Sequence, residues 1–143
     1  MAIDACVVAG GEVTFLTGHT YFSRSLKMKG SNCALNLPQG AMIKFDDDAS
    51  NYDHSSHLIE IEGSNVAIVG GGVFNGQGKA WWDGNACSKS QIAAAIISRR
   101  RDDDCWRPRM LSVSNSDHVL IQGVTWKDSP DHVLEMYSDY TEI

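Results

Sequence analysis

Short alternations of apolar and polar residues run along this chain, as in Glu12-Val13-Thr14-Phe15-Leu16, Leu58-Ile59-Glu60-Ile61, Val66-Ala67-Ile68-Val69 and Val119-Leu120-Ile121. Successive side chains of an extended strand point to opposite faces, so a period of two predicts short β-strands. Turn formers separate the runs: Gly10-Gly11, Pro38-Gln39-Gly40, Gly63-Ser64-Asn65, Gly70-Gly71-Gly72 and Asn115-Ser116-Asp117. Strand follows strand with little room for helices. One stretch, Gln91-Ile92-Ala93-Ala94-Ala95-Ile96-Ile97, has helical propensity, but it is only about two turns long and marginal by itself.

The strands repeat. Ser116-Asp117-His118-Val119-Leu120-Ile121 recurs as Ser138-Asp139-Tyr140-Thr141-Glu142-Ile143, 22 positions later. Ser64-Asn65-Val66-Ala67-Ile68 is a related unit with one residue fewer, and a short apolar strand precedes each, at 58–61, 111–113 and 133–136. A turn-strand unit at this period suits one coil of a β-solenoid, in which each coil stacks its inward apolar residues on the next. The three preceding strands should then lie parallel in stacked coils. An antiparallel sandwich is the competing architecture, but it calls for two-residue hairpin turns between alternating runs. Asn75-Gly76 and Asp83-Gly84 lie instead within a glycine-rich stretch.

Composition narrows the function classes. The 143 residues are 43% hydrophobic and 21% charged with three prolines, as in one folded domain. A formal net charge of −6 offers no basic surface for nucleic acid, and Arg99-Arg100-Arg101 is cancelled by the adjacent Asp102-Asp103-Asp104. No run approaches the roughly 20 apolar residues of a membrane span, and the first residues lack the pattern of a secretory signal. Cys6, Cys33, Cys87 and Cys105 form no C-x-x-C pair, and His118 and His132 are not spaced as zinc ligands, so no metal or cofactor is expected. Four cysteines allow three connectivities. Pairing 6–33 and 87–105 closes two local loops and would point to an oxidising compartment, whereas buried free thiols would suit a cytosolic protein.

The segment Ile68-Val69-Gly70-Gly71-Gly72-Val73-Phe74-Asn75-Gly76-Gln77-Gly78-Lys79-Ala80-Trp81-Trp82-Asp83-Gly84 resembles the I-x-G-x-G-x-[IF]-[DN]-G-Q-G-x-x-W-W-D stretch of the polygalacturonases of glycoside hydrolase family 28. Other matches occur in the same order: Ala5-Cys6, Gly10-Gly11-Glu12-Val13-Thr14-Phe15, Gly18-His19-Thr20-Tyr21, Arg107-Pro108 and Ile121-Gln122-Gly123-Val124-Thr125-Trp126-Lys127-Asp128-Ser129-Pro130. In the last run Asp128 stands where the family usually has asparagine. The resemblance implies an all-β, right-handed parallel β-helix of the pectin lyase-like, single-stranded solenoid kind. Residues 1–143 would be the N-terminal coils of a single truncated domain, with a loop insert at about 85–106. It also implies an extracellular hydrolase of α-1,4-linked galacturonic acid in pectin, acting with inversion, without a metal, and as a monomer when full length.

Inverting hydrolysis needs a protonated carboxyl group to assist the leaving group and a separated carboxylate to activate water. The family supplies these from N-T-D and D-D motifs, with a G-H-G histidine and an R-x-K pair for the substrate carboxylate. The N-T-D, G-H-G and R-x-K motifs are absent here, and the chain reaches Ile143 about one coil before N-T-D is expected. No catalytic residue is therefore carried over. The remaining acids, Asp46-Asp47-Asp48 and Asp102-Asp103-Asp104, are consecutive, so their side chains diverge, and they read as solvated turns. Asp128 and Asp131 flank Pro130 in a turn, and His54, His57, His118 and His132 lack a companion nucleophile and read as turn or surface residues. Trp81 and Trp82, being adjacent, should face opposite sides of a strand, one in the core and one exposed; packing of the insert is favoured over sugar stacking.

Overall fold

The computed structural model describes residues 2–53, 55–82 and 106–137, and the backbone of residues 140–142. Helix α1 (Ala2–Ala9) opens the chain, followed by strands β1 (Gly11–Thr14), β2 (Thr20–Ser23), β3 (Leu26–Lys29), β4 (Cys33–Leu37), β5 (Met42–Phe45), β6 (Ile59–Glu62), β7 (Val66–Gly70) and β8 (Val73–Asn75). A one-turn helix α2 (Gly78–Ala80) comes next, then β9 (Leu111–Ser114), β10 (Asp117–Gln122), β11 (Thr125–Lys127), β12 (Leu134–Tyr137) and β13 (Tyr140–Glu142).

Every third strand pairs, always in parallel. The order is β1-β4-β7-β10-β13 in one sheet, β2-β5-β8-β11 in a second and β3-β6-β9-β12 in a third. The chain thus winds as an all-β parallel β-helix in which each coil contributes one strand to each sheet. The expected stacking of the strands near 58–61, 111–113 and 133–136 is observed as Ile59↔Leu111↔Leu134. Gly11 pairs with Cys33 and Leu120 with Glu142, each 22 residues on, as the repeat predicts. Longer coils pair Cys33 with Val66 and Val66 with Val119 because chain is inserted between β5 and β6 and between β8 and β9.

Three inward ranks form the core. Leu35, Ile68 and Ile121 align across the first sheet, Ile43, Phe74 and Trp126 across the second, and Met28, Ile61 and Val113 across the third. The aromatic rank stacks, with Phe74 and Trp126 centroids 5.0 Å apart and Phe45 and Phe74 6.4 Å apart. Burying each such side chain stabilises the fold by roughly 1.5–3 kcal/mol. Met136 continues the third rank but is 43% exposed, as is Val133 at 44%, since β12 ends its sheet among the described residues.

At the other end α1 packs across β1, β3 and β4. This helix was not expected from the sequence, which shows no amphipathic period there. Alanines at 2, 5 and 9 and Asp4 in the first turn favour it locally. Eight residues are too few to hold a helix alone, so docking and the Cys6–Cys33 disulfide keep it in place. That bridge is one of the two expected pairs; Cys87, Cys105, the 91–97 helix and nearly all of the 85–106 insert lie outside the described residues.

The turn into each of β1, β4, β7 and β10 carries a left-handed residue at one aligned position. Register aligns Gly10, Asn32, Asn65 and His118, and all four have positive φ, at 78°, 60°, 56° and 54°. Asn65 Nδ2 donates to Asn32 Oδ1 at 3.1 Å, tying two corners together. The extra residue that separates Asp117 from Val119 is absorbed at His118, where the register with β13 shifts.

Replacing Cys6 and Cys33 with serine should lower unfolding free energy by about 3.5 kcal/mol for a loop of this length, read from the urea midpoint; an unchanged midpoint would mean α1 docks without the bridge. Gly123→Ala should cost more than about 2 kcal/mol, because φ is +79° and a Cβ there would sit 2.1 Å from the Gly70 carbonyl oxygen. Wild-type stability in that variant would show that this corner relaxes freely.

Candidate functional site

The segments leaving the second sheet for the third all emerge at one corner, described at residues 24–25, 46–53 and 55–58, 76–82 and 106–110, and 128–133. Beside this corner the outward side chains of the second sheet form a row, Phe22↔Lys44↔Asn75↔Lys127, one per coil. Phe22, Lys44 and Asn75 of this row and the loops line a groove made of two adjoining depressions of about 430 and 460 Å³. Phe22, Arg24, Asp46 and Asp47 line the first; Lys44, Asp47, Asn75, Lys79 and Asp128 line the second; Gln77 lies in both.

The wall is held by stacked motifs. Gln77 takes the left-handed conformation, its backbone N–H donates to Asn75 Oδ1 at 2.9 Å, and its side-chain amide reaches back to the Phe45 carbonyl of the preceding coil. Gly78 N–H donates to the Asp128 carbonyl at 2.7 Å. A Cβ at Gly76 or Gly78 would lie 2.8 Å from that same oxygen, so the Asn-Gly-Gln-Gly run needs its glycines to admit the Asp128-Ser129-Pro130 turn. Asp128 is itself left-handed, at φ 49°, a conformation asparagine and aspartate tolerate better than most residues. The sequence segments that carry the family resemblance are therefore neighbours in space.

Most acids of the wall hold the loop. Asp46 faces Arg24 Nε at 3.7 Å and accepts from Asn51 Nδ2 at 2.8 Å and from the Asp48 N–H at 3.0 Å. Asp48 caps the 3₁₀ turn Ala49–Asn51, and the hydrogen bonds from the Ser50 hydroxyl and N–H lower its pKa from the ordinary carboxylate value. Asp47 lines both depressions. Asp131 meets Arg107 at 3.9 Å and His132 at 3.4 Å, which joins the Arg107-Pro108 segment to the same corner. Asp102-Asp103-Asp104 and His54 lie outside the described residues. Among those described, no three His, Cys, Asp or Glu side chains converge as a metal site, and no helix is long and apolar enough to cross a membrane.

Two expectations need correction. His57 is half-buried, with Nδ1 shielded and unpartnered among the described residues; burial and then the Arg109 guanidinium push its pKa down from the usual histidine range. The ring is thus neutral at pH 7 and sits near Glu60, Arg109 and Glu135, a placement without periodic signal in the sequence. Trp81 and Trp82 divide as expected, 1% and 53% exposed, but they continue from helix α2 rather than from a strand. Trp81 packs edge-on against Tyr52 at 5.5 Å and Trp106 at 6.1 Å, while Trp82 Nε1 donates to the Pro130 carbonyl at 3.0 Å.

Comparison with known proteins follows this geometry. The exopolygalacturonase rpg16 of Rhizopus delemar is 32% identical over 124 residues, covering 84% of this chain and 32% of that protein. Endo-xylogalacturonan hydrolase A of Aspergillus tubingensis is 25% identical over 128 residues, 85% of this chain and 28% of that one. The chain thus spans about a third of the length of these curated relatives. The family 28 exopolygalacturonase structure of Yersinia enterocolitica shares the fold at a TM-score of 0.66 and 15% identity, over 96% of this chain and 35% of that one. The family profile described as Glycosyl hydrolases family 28 matches residues 9–141, nearly the whole chain, and the chain belongs to that family.

Proposed function

We propose that these coils are the N-terminal part of a pectin-degrading hydrolase that cleaves α-1,4-galacturonosyl linkages with inversion, and that their groove holds the polysaccharide beside catalytic coils carried elsewhere in the protein. The observation that carries this reading is the family match over residues 9–141 with relatives named as polygalacturonases and a xylogalacturonan hydrolase. A groove running across successive coils suits an extended polymer. The Cys6–Cys33 bridge supports an extracellular location.

The described residues offer poor candidates for the acid pair. An inverting mechanism wants two carboxyl groups about 6.5–9.5 Å apart with one held protonated, whereas Asp46 and Asp48 are engaged in turn hydrogen bonds and Asp131 in an ion pair. That engagement also favours a second reading, a β-helix that binds polysaccharide without cutting it.

Residues 1–143, incubated with polygalacturonate, should release reducing ends no faster than a buffer blank while binding the polymer, and should tend to associate through the open strand edges. Release above blank that is abolished in Asp47→Asn or Asp128→Asn would overturn the account. A longer transcript that encodes the N-T-D and G-H-G motifs and is active would decide for the hydrolase over the non-cutting reading.

A further inference from the structure

The half-buried ring of His57 lines neither depression of the groove. Its place is set by the parallel ladder of the third sheet, which runs on ahead of the strands. Leu58 N–H donates to the Arg109 carbonyl at 2.9 Å, and Met110 N–H to the His132 carbonyl at 3.0 Å. With Ile59 paired to Leu111 and Leu111 to Leu134, His57, Arg109 and His132 share one aligned position on three successive coils, about 4.8 Å apart along the axis. Three groups that can carry positive charge are thus stacked where two inserts come back to the ladder. They are not equivalent. His132 is exposed and has Asp131 at 3.4 Å, whereas Nδ1 of His57 is shielded from water and has no hydrogen-bond partner among the described residues.

We propose that His57 and Arg109 form an acid-sensitive latch between the arms on which the two inserts return, residues 55–58 and 106–110, which stay packed while the ring is neutral and loosen when it takes up a proton. A protonated ring would stand one rung from a permanent guanidinium, with its Nδ1–H lacking an acceptor. The surrounding carboxylates are already engaged. Glu60 of β6 accepts from the His57 backbone N–H at 3.2 Å and faces Lys27 and Lys29 of β3, each at 3.6 Å. Glu135 of β12 holds Arg109 at 2.9 Å. In the first coil the same position counted from the strand is Arg24, a further cation, which faces Asp46 at 3.7 Å. Burial first and then Arg109 push the ring's pKa down from the ordinary histidine range, with Glu135 and Glu60 opposing. A ring held neutral in the fold contributes stability that is fully present above the ordinary value of about 6.5 and is lost as pH falls below it. The insert that ends at His57 carries Asp46 and Asp47 of the groove wall, so loosening the latch reaches that wall whatever the groove binds.

The test is hydrogen exchange of single amides in the 143-residue chain from about pH 7.5 to about pH 5, corrected for the intrinsic pH dependence of exchange. Leu58 and Met110, whose N–H groups make the rungs at the latch, should lose protection below the ordinary histidine value by up to about ten-fold per pH unit, the limit for one proton. Ile68 in β7 should keep its own. His57→Gln should abolish the loss, and His132→Gln should retain it. Arg109→Gln removes the facing cation and leaves the ring, so the His57 titration, read from its NMR signal, should move upward; this arm decides the matter even where His57→Gln does not fold. Protection at Leu58 and Met110 that is independent of pH, an equal fall at Ile68, a loss that persists in His57→Gln or vanishes in His132→Gln, or an unmoved ring titration in Arg109→Gln would each overturn the inference.

Discussion

The strands β1, β4, β7 and β10 of the first sheet are each entered through a left-handed residue at one aligned position, and the rest of the structure depends on that corner. Gly10, Asn32, Asn65 and His118 occupy it in successive coils. A left-handed residue other than glycine costs roughly 1–2 kcal/mol, less for asparagine, and here the Asn65 to Asn32 hydrogen bond offsets part of that cost. Because a left-handed residue recurs at one aligned position of successive coils, it also fixes register. A slip by one residue would bring Val66 or Val119 to the corner in the later coils and turn every inward rank outward.

Register set at that corner propagates to the functional face. The inward aromatic rank of the second sheet packs Phe74 against Trp126, and this pins β8 and β11 so that Asn75 and Lys127 emerge side by side. Inserts are then free to grow at the opposite corner, between β5 and β6 and between β8 and β9, with both flanking strands kept in the same ladders. Loop growth there changes the groove wall without disturbing the stack, since long surface loops add little closure entropy. The glycines at 76 and 78 and the Asp128 carbonyl show how closely the wall must pack to let the next coil through.

Much of this was legible in the sequence. Period-two runs gave strands near 12–16, 58–61, 66–69 and 119–121, and the 22-residue echo of Ser116 to Ile121 gave the coil length, because both depend on inward apolar residues stacking in register. Helix α1 was not legible: its stability comes from capping the first coils and from a disulfide to Cys33, both long-range contacts. The inserts hid the period across β4 to β10, so the alignment of Asn65 with His118 could be read only from the folded coils. The Lys44 and Lys127 row was invisible for the same reason, since its members are far apart in sequence and share a line only after register is set.

The most direct test of the stacking account is the pairing across the longest gap, Val66 with Val119 and Ile68 with Ile121. Inter-strand backbone NOEs between β7 and β10, measured on isotopically labelled protein, should show the slanted parallel pattern in that register. An antiparallel pattern, or a parallel one shifted by a single residue, would contradict it.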